Sequence, residues 1–329
     1  MSLVESEWLD LRVVDARQEA SNVTVIDLAH SDGGLLPSWE PGAHIDVRSM
    51  DKGGKEAVRQ YSLCGPSKAA LWRIAVLVEP HGRGGSMHLG GTSLPGSSLS
   101  VRGPRNHFRL EHDGSPVLLV AGGIGITPLL AMADALHAQG RDFRLHYFGR
   151  SRASMAFREQ LLGSAYRERV HLSCDDEPAC RISDVFTQGD GDAWLYTCGP
   201  EGFMKAVIEA AATAGVRPDR VRQELFTSQP HATEEGVEGQ NRPFTIVLRS
   251  SGQCVEVPSD KTAVRALADA GVEVVVSCEQ GYCGSCLTGV LEGIPDHRDA
   301  FMLPEEHERN DAFTPCCSRA MTKTLVLDL

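Results

Sequence analysis

Cys278, Cys283 and Cys286 are spaced C-x4-C-x2-C, and Cys316 follows much further along the chain. Thiolates are soft ligands that suit iron–sulfur clusters or zinc. Structural zinc sites usually use paired C-x2-C steps, whereas the longer first step here matches the plant-type [2Fe–2S] pattern. Gly281 and Gly284 lie between these ligands, where a loop must wrap tightly enough for backbone N–H groups to face the cluster sulfides. Ser277, Tyr282 and Ser285 can add hydrogen bonds. Cys317 adjoins Cys316 and is an alternative fourth ligand; the order Cys316, Ser318, Arg319 favours Cys316 and leaves Cys317 as a buried thiol. This end of the chain is therefore expected to carry electrons.

Two glycine turns come earlier. Ala121-Gly122-Gly123-Ile124-Gly125-Ile126-Thr127-Pro128 follows an apolar run and opens a helical stretch. Such a turn lets backbone approach a pyrophosphate whose charge the helix N-terminus favours, with Thr127 suited to the N-cap and Pro128 to the first turn. Cys198-Gly199-Pro200 ends a second apolar strand before a helix, the edge of an open α/β sheet where ligands lie, so Cys198 can sit beside a reacting ring. Without the glycine turn, an inert buried thiol is the plainer reading of it. Gly82-Arg83-Gly84-Gly85-Ser86 is the second turn, with Ser86 placed to cap a short helix near a terminal phosphate. In Arg59-Gln60-Tyr61-Ser62-Leu63, the arginine can fork onto a phosphate, the tyrosine can stack on a flat ring, and the Ser62 hydroxyl can bond a ring nitrogen. Strand alternation puts Arg59, Tyr61 and Leu63 on one face and Ser62 on the other.

The elements that position these residues fall into a sequence of three patterns. From about residue 11 to 108, short β-rich runs such as 23–28, 44–47 and 72–78 are separated by Gly/Pro/Ser turns, as in a small antiparallel barrel. Strands at 117–121, 143–148, 170–173 and 193–197 then alternate with helices at 128–138, 156–162 and 201–214, which implies a parallel sheet covered on both faces. Residues 227–242 are polar and acidic and read as a linker. Beyond them come a hairpin at 244–248 and 254–257, a helix at 263–270 and a closing strand at 324–327. The expected organisation is a flavin barrel over 1–110, a nucleotide domain over 111–227, a linker over 228–242 and an α+β, β-grasp-like ferredoxin domain over 243–329.

Length and composition agree with this. A chain of 329 residues folds as two or three domains. Ten cysteines are out of place as disulfides in a reducing compartment. No apolar run is long enough to span a membrane, and the start MSLVESEWLD lacks a signal-peptide pattern, so a cytoplasmic location is expected. A net charge of −12 argues against nucleic acid and anionic membranes as partners and fits a partner with a basic docking patch.

Arg-x-Tyr-Ser in a barrel, then Gly-Gly-Ile-Gly-Ile-Thr-Pro, then Cys-Gly-Pro, then the cysteine spacing, in this order, closely resembles the phthalate dioxygenase reductase family, to which vanillate O-demethylase reductases belong. The resemblance covers nearly the whole chain. It implies FMN, not FAD, between barrel and nucleotide domain. Arg59, Tyr61 and Ser62 would bind the FMN, with Ala75, Val76 and Leu77 along the ring and Arg83, Gly84, Gly85 and Ser86 near the phosphate. Thr127 would approach from the nucleotide domain, and Phe226 of Glu224-Leu225-Phe226 would cover the ring. Residues 104–108, Pro-Arg-Asn-His-Phe, resemble the barrel-to-nucleotide junction, with His107 structural.

NADH is the implied donor, bound by Gly122, Gly123, Gly125, Cys198, Gly199 and Pro200. The basic residues of Tyr147-Phe148-Gly149-Arg150-Ser151-Arg152 could instead meet the 2′-phosphate of NADPH, and Arg150 is the residue expected at the adenosine ribose. Hydride would pass to flavin with Ser62, Cys198 and Phe226 at the reacting rings, and electrons would leave singly through a cluster near about −400 mV. The resemblance implies a Rieske-type terminal oxygenase as partner and a monomeric reductase. Supply to a cytochrome P450, or a redox-sensing or electron-storage module, are the alternatives.

Overall fold

In the computed structural model, the described residues are 7–65, 70–82, 84–176, 181–187, 189–226, 241–276, 279, 281, 284–299, 302 and 304–329. Arg83, Ser277, Cys278, Tyr282, Cys283 and most of the expected linker lie outside them. The chain divides into two compact units, Met1–Ser228 and Gln229–Leu329.

The first unit begins with β1 (Trp8–Ala20), β2 (Val23–His30), β3 (His44–Met50), β4 (Glu56–Ser62), β5 (Trp72–Leu77), α1 (Gly85–Thr92) and β6 (Ser98–Arg105). These six strands form one antiparallel sheet in the order β4-β3-β6-β1-β2-β5. Its two edges meet: Leu63 bridges Ile74, and the Cys64 amide donates to the Arg73 carbonyl at 3.0 Å, closing the barrel. Leu11, Ile26, Ile45, Val47, Ile74 and Val76 fill the interior with no exposed surface. The β3–β6 seam also buries a carboxylate, Asp46, which accepts from Arg102 at 2.7 Å. A buried charge is tolerated only when paired in this way.

The parallel sheet follows, with β7 (Val117–Gly122), α2 (Ile126–Ala138), β8 (Phe143–Gly149), α3 (Arg158–Leu162), β9 (Val170–Cys174), β10 (Trp194–Gly199), α4 (Glu201–Thr213) and β11 (Val221–Leu225). Strand order is β11-β10-β7-β8-β9, all parallel. The two central strands, β7 and β10, are buried at every position, as expected of strands covered by helices on both faces. Barrel and sheet share apolar packing: Val23, Val25, Cys64 and Ala75 of the barrel form one cluster with Ala121, Ile126 and Cys198 of the sheet. At the 104–108 junction, Phe108 packs edge-on against Tyr196, whose hydroxyl accepts from the Glu111 amide and donates to the Arg109 carbonyl. His107 lies against His44, with ring centroids 5.8 Å apart.

The second unit contains β12 (Phe244–Leu248), β13 (Cys254–Val257), α5 (Ala263–Asp269), β14 (Thr288–Glu292), β15 (Pro295–Asp296), α6 (Pro304–Arg309), β16 (Ala312–Phe313), β17 (Arg319–Ala320) and β18 (Thr324–Leu327). Its main sheet is mixed, in the order β13-β12-β18-β14-β16, with β12 and β18 parallel. Ala263, Ala266 and Leu267 of α5 pack on it, giving the expected α+β unit. Arg319 reaches back to three carbonyls, those of Lys261, Pro258 and Arg242, and its guanidinium lies over the Phe244 ring. No helix among the described residues is long and apolar enough to cross a membrane.

Candidate active site and cluster loop

The two turns at the sheet edge are built against each other. A Cβ on Gly125 would fall 2.1 Å from the Cys198 carbonyl oxygen, and one on Gly199 would fall 3.1 Å from the Gly122 backbone. The Phe203 ring of α4 closes over both, 2.7 Å from a Cβ on Gly122 and 2.9 Å from one on Gly199. Three of the four glycines are thus required by protein packing. Gly123 differs: its φ is +55° and a Cβ there would meet nothing within 4 Å, so this is the residue whose backbone opens onto free space.

The helix start corrects the expected cap. Residues 123–125 form a turn of 3-10 helix that runs straight into α2, so Gly125, not Thr127, takes the N-cap position. Thr127 is buried inside the first turn, and its hydroxyl donates to the Ile124 carbonyl at 3.0 Å. Ser86 is corrected likewise. Gly84, in the left-handed region at φ 101°, precedes α1, while the Ser86 hydroxyl accepts from the Glu79 amide at 3.1 Å. Both hydroxyls find nearby backbone partners one turn into the helix, a common alternative to capping. Pro200 caps α4 in an extended conformation and is exposed, and Arg150 is exposed at the end of β8.

On the barrel side, Arg59, Tyr61 and Ser62 lie on β4. Arg59 lies across the start of α1: a Cβ on Gly85 would be 2.8 Å from its Nε. Burial pushes the Tyr61 hydroxyl well up. Ala75 and Leu77 face the parallel sheet, whereas Val76 points into the barrel interior, so only its backbone can line the same side. Ser62 is buried and donates to the Glu224 carboxylate at 3.4 Å, across 162 residues of sequence.

Glu224 was not singled out by sequence reasoning. It lies on β11, paired in register with Cys198 on β10 and one residue short of Leu225. Desolvation raises its carboxyl from 4.5 to about 8, offset in part by the Ser62 hydrogen bond. Burial, then the Glu224 charge, pushes the Cys198 thiol well up, so it stays protonated. Phe226 is half-buried and packs on the same apolar cluster as Cys198, Ala75 and Leu77. Ser62, Ala75, Cys198, Glu224 and Phe226 are therefore brought to one place where barrel and sheet meet.

In the second unit, Cys286 and Cys316 are both buried and pack together with Val264, next to Val274, Val276 and Cys317. Gly281 and Gly284 are left-handed, at φ 80° and 68°, and so is Glu279 at 54°. Two of these left-handed positions, 281 and 284, are glycines, the residue that region favours. Cys317 has its own partners: its sulfur lies 3.3 Å from the Thr314 hydroxyl and 3.8 Å from that of Ser318. Buried sulfurs beside tight left-handed turns fit an iron–sulfur cluster.

A family model for the 2Fe-2S iron-sulfur cluster binding domain matches residues 246–321. The chain is 42% identical to a vanillate O-demethylase oxidoreductase of Pseudomonas putida, over 98% of this chain and 100% of that protein. A solved phthalate dioxygenase reductase, described as a modular structure for electron transfer from pyridine nucleotides to [2Fe–2S], is 34% identical over 99% of both chains, with a TM-score of 0.68. The chain belongs to the phthalate dioxygenase reductase family. An intact type IV self-sufficient cytochrome P450 monooxygenase is also similar, at 37% identity and a TM-score of 0.87, but this chain spans only 41% of it.

Membership in the phthalate dioxygenase reductase family makes the protein an oxidoreductase of the class that serves oxygenase systems. It also explains why barrel, parallel sheet and cysteine-bearing unit follow one another in this order. Cys278 and Cys283 lie outside the described residues, so of the four expected ligands the structure places Cys286 and Cys316.

Proposed function

We propose that this chain is the NADH-dependent reductase component of a two-component Rieske non-haem iron oxygenase acting on an aromatic acid or ether, and that it works as a cytoplasmic monomer. The observation that carries the reading is the meeting of Ser62, Cys198, Glu224 and Phe226 where barrel and parallel sheet join. Tyr61 and Ser62 would bind the ring system of FMN, with Ala75, Leu77 and the Val76 backbone along its flank. Arg59, Arg83, Gly84, Gly85 and Ser86 would hold its single phosphate at the start of α1, a placement that favours FMN over the longer FAD.

Gly122, Gly123 and Gly125 would receive the pyrophosphate of NADH, with Gly123 presenting backbone and the other two shaping the turn. Arg150 would meet the adenosine ribose, Thr127, Gly199 and Pro200 would border the cleft, and Cys198 and Phe226 would flank the nicotinamide. Glu224, carrying its proton near neutral pH, orients the Ser62 hydroxyl. Cys278, Cys283, Cys286 and Cys316 would hold the [2Fe–2S] cluster. The redox chemistry is the cofactors' own: hydride acceptance by flavin and single-electron carriage by the cluster. No acid, base or nucleophile from the chain is required for it.

The test combines cofactor analysis with turnover. FMN and iron are expected on the purified protein, kcat/KM should favour NADH over NADPH, and NADH should drive product formation by a purified Rieske oxygenase. A clear NADPH preference, or FAD released on denaturation, would overturn those parts of the reading. The likeness to a self-sufficient P450 supports a second reading, supply to a cytochrome P450; coupled turnover with P450 but not with a Rieske oxygenase would select it. Rapid NADH-dependent reduction of cytochrome c would argue against a storage or sensing module.

A further inference from the structure

Apart from the cysteines, three side chains of the second unit converge on one spot. His297 follows β15, Asp299 lies two residues further on, and His307 belongs to α6. The Asp299 side chain is fully buried; the His307 Nε2 stands 3.3 Å from its carboxylate and the His297 Nδ1 3.9 Å from it. The two imidazoles are stacked with centroids 4.4 Å apart, and one ligand atom from each of the three residues lies within 4.8 Å of the others. The His297 side chain is only 10% exposed, yet neither ring nitrogen makes a hydrogen bond among the described residues. The Asn310 side chain and the backbone of residue 307 are its other polar neighbours, and both favour the protonated ring. Leaving such a buried group unmet is costly.

We propose that His297, Asp299 and His307 bind one divalent transition-metal ion of the zinc class, in a site separate from the cysteine-held cluster. Two imidazoles and a carboxylate are the donor set such ions take, usually with a fourth position left to solvent. Bonds of ~2.0–2.1 Å to a tetrahedral ion place ligand atoms ~3.2–3.5 Å apart. The His307–Asp299 pair is already at that spacing, and the His297 Nδ1 stands 3.9 Å from the same carboxylate. The carboxylate is aimed by its own partners: the Met302 amide donates to Oδ2 at 2.8 Å and the Ser318 hydroxyl to Oδ1 at 3.4 Å. Bonds of this kind orient ligating carboxylates in metal sites. His307 is 28% exposed, which leaves a path for the ion to enter. Asp299 also touches the cysteine loop, since a Cβ on Gly281 would lie 3.1 Å from its Cα. The ion would therefore tie α6 to the segment that braces that loop.

The holoprotein, cluster loaded, is equilibrated with micromolar zinc sulfate and freed of excess, and zinc and iron are measured together. About one zinc per chain with unchanged iron is expected, with zinc content at least about ten-fold lower in His307→Gln and in His297→Gln while iron and the cluster absorbance persist. If His297→Gln fails to fold, the partly exposed His307→Gln decides. Absence of bound zinc in the wild type, equal zinc in the His307→Gln variant, or zinc that enters only as iron leaves, would each overturn the site; the stacked rings and the His307–Asp299 hydrogen bond would then be structural alone.

Discussion

Cys198 at the sheet edge and Cys316 in the second unit are both buried thiols, yet their surroundings differ in kind. Cys198 ends a strand clamped between two parallel neighbours, and its carbonyl is pressed against Gly125. Cys316 sits on a loop between two-residue strands and shares a small apolar cluster with Cys286. The first arrangement fixes backbone and keeps its thiol neutral, which suits a nucleotide that must arrive and leave. The second lets short loops with left-handed turns wrap around a permanent inorganic centre. Rigidity is invested in the frame at one site and in the proposed cluster itself at the other.

Five substitutions test this contrast, and the largest effect is expected at the loop. Cys316→Ser should remove most of the iron and lower cytochrome c reduction more than about 100-fold, while ferricyanide reduction through flavin survives. Cys317→Ser should keep its iron; the reverse pattern in iron analysis would exchange the two ligand assignments. Next comes Gly125→Ala, whose new methyl would collide with backbone that cannot swing aside. Overpacking of this kind costs about 1–3 kcal/mol, hence a fall in Tm of roughly 3–10 °C. Calorimetry should place that fall in the first unit's transition and leave the second unit's unmoved.

Glu224→Gln tests the neutral character of the sheet edge. With its carboxyl raised from 4.5 to about 8, folded Glu224 keeps a proton that the unfolded chain has already lost. Stability of the flavin-free protein should therefore fall as pH rises from about 4.5 to 8, since the folded state binds more protons across that window. Glu224→Gln should flatten that slope in Tm measured against pH; an unchanged slope would assign it to other groups. The smallest stability effect belongs to Gly123→Ala. Its methyl meets open space, so only left-handed strain of about 1–2 kcal/mol is expected, and the KM for NADH should rise more than Tm falls.

Much of this was legible in the sequence because it is encoded locally. The glycine turns, the Cys-Gly-Pro strand end and the cysteine spacing each carry their geometry within a few residues. What escaped depends on distance or on irregularity. The 13-residue β1 is hidden because its alternation is broken by register shifts at Val13/Asp15 and Gln18/Ala20. The sequence VRQEL of β11 reads as polar, as an edge strand can. Glu224 became a site residue only when folding set it against Ser62, a contact no local pattern contains. Thr127 and Ser86 do not cap their helices because a continuous 3-10 turn and a left-handed glycine start those helices two residues earlier.

The parallel pairing of β12 with β18 joins the first and last strands of the second unit. If the unit is pulled by its two ends, force runs along these strands in opposite directions, so the hydrogen bonds from Thr245–Thr324 to Leu248–Leu327 are loaded in shear together and do not unzip one by one. The Arg319 hydrogen bond to the Arg242 carbonyl adds a grip at the point where tension enters. This unit should accordingly be mechanically stiff along the axis of its own termini and yield far more readily when tugged across β13, whose antiparallel hairpin can peel.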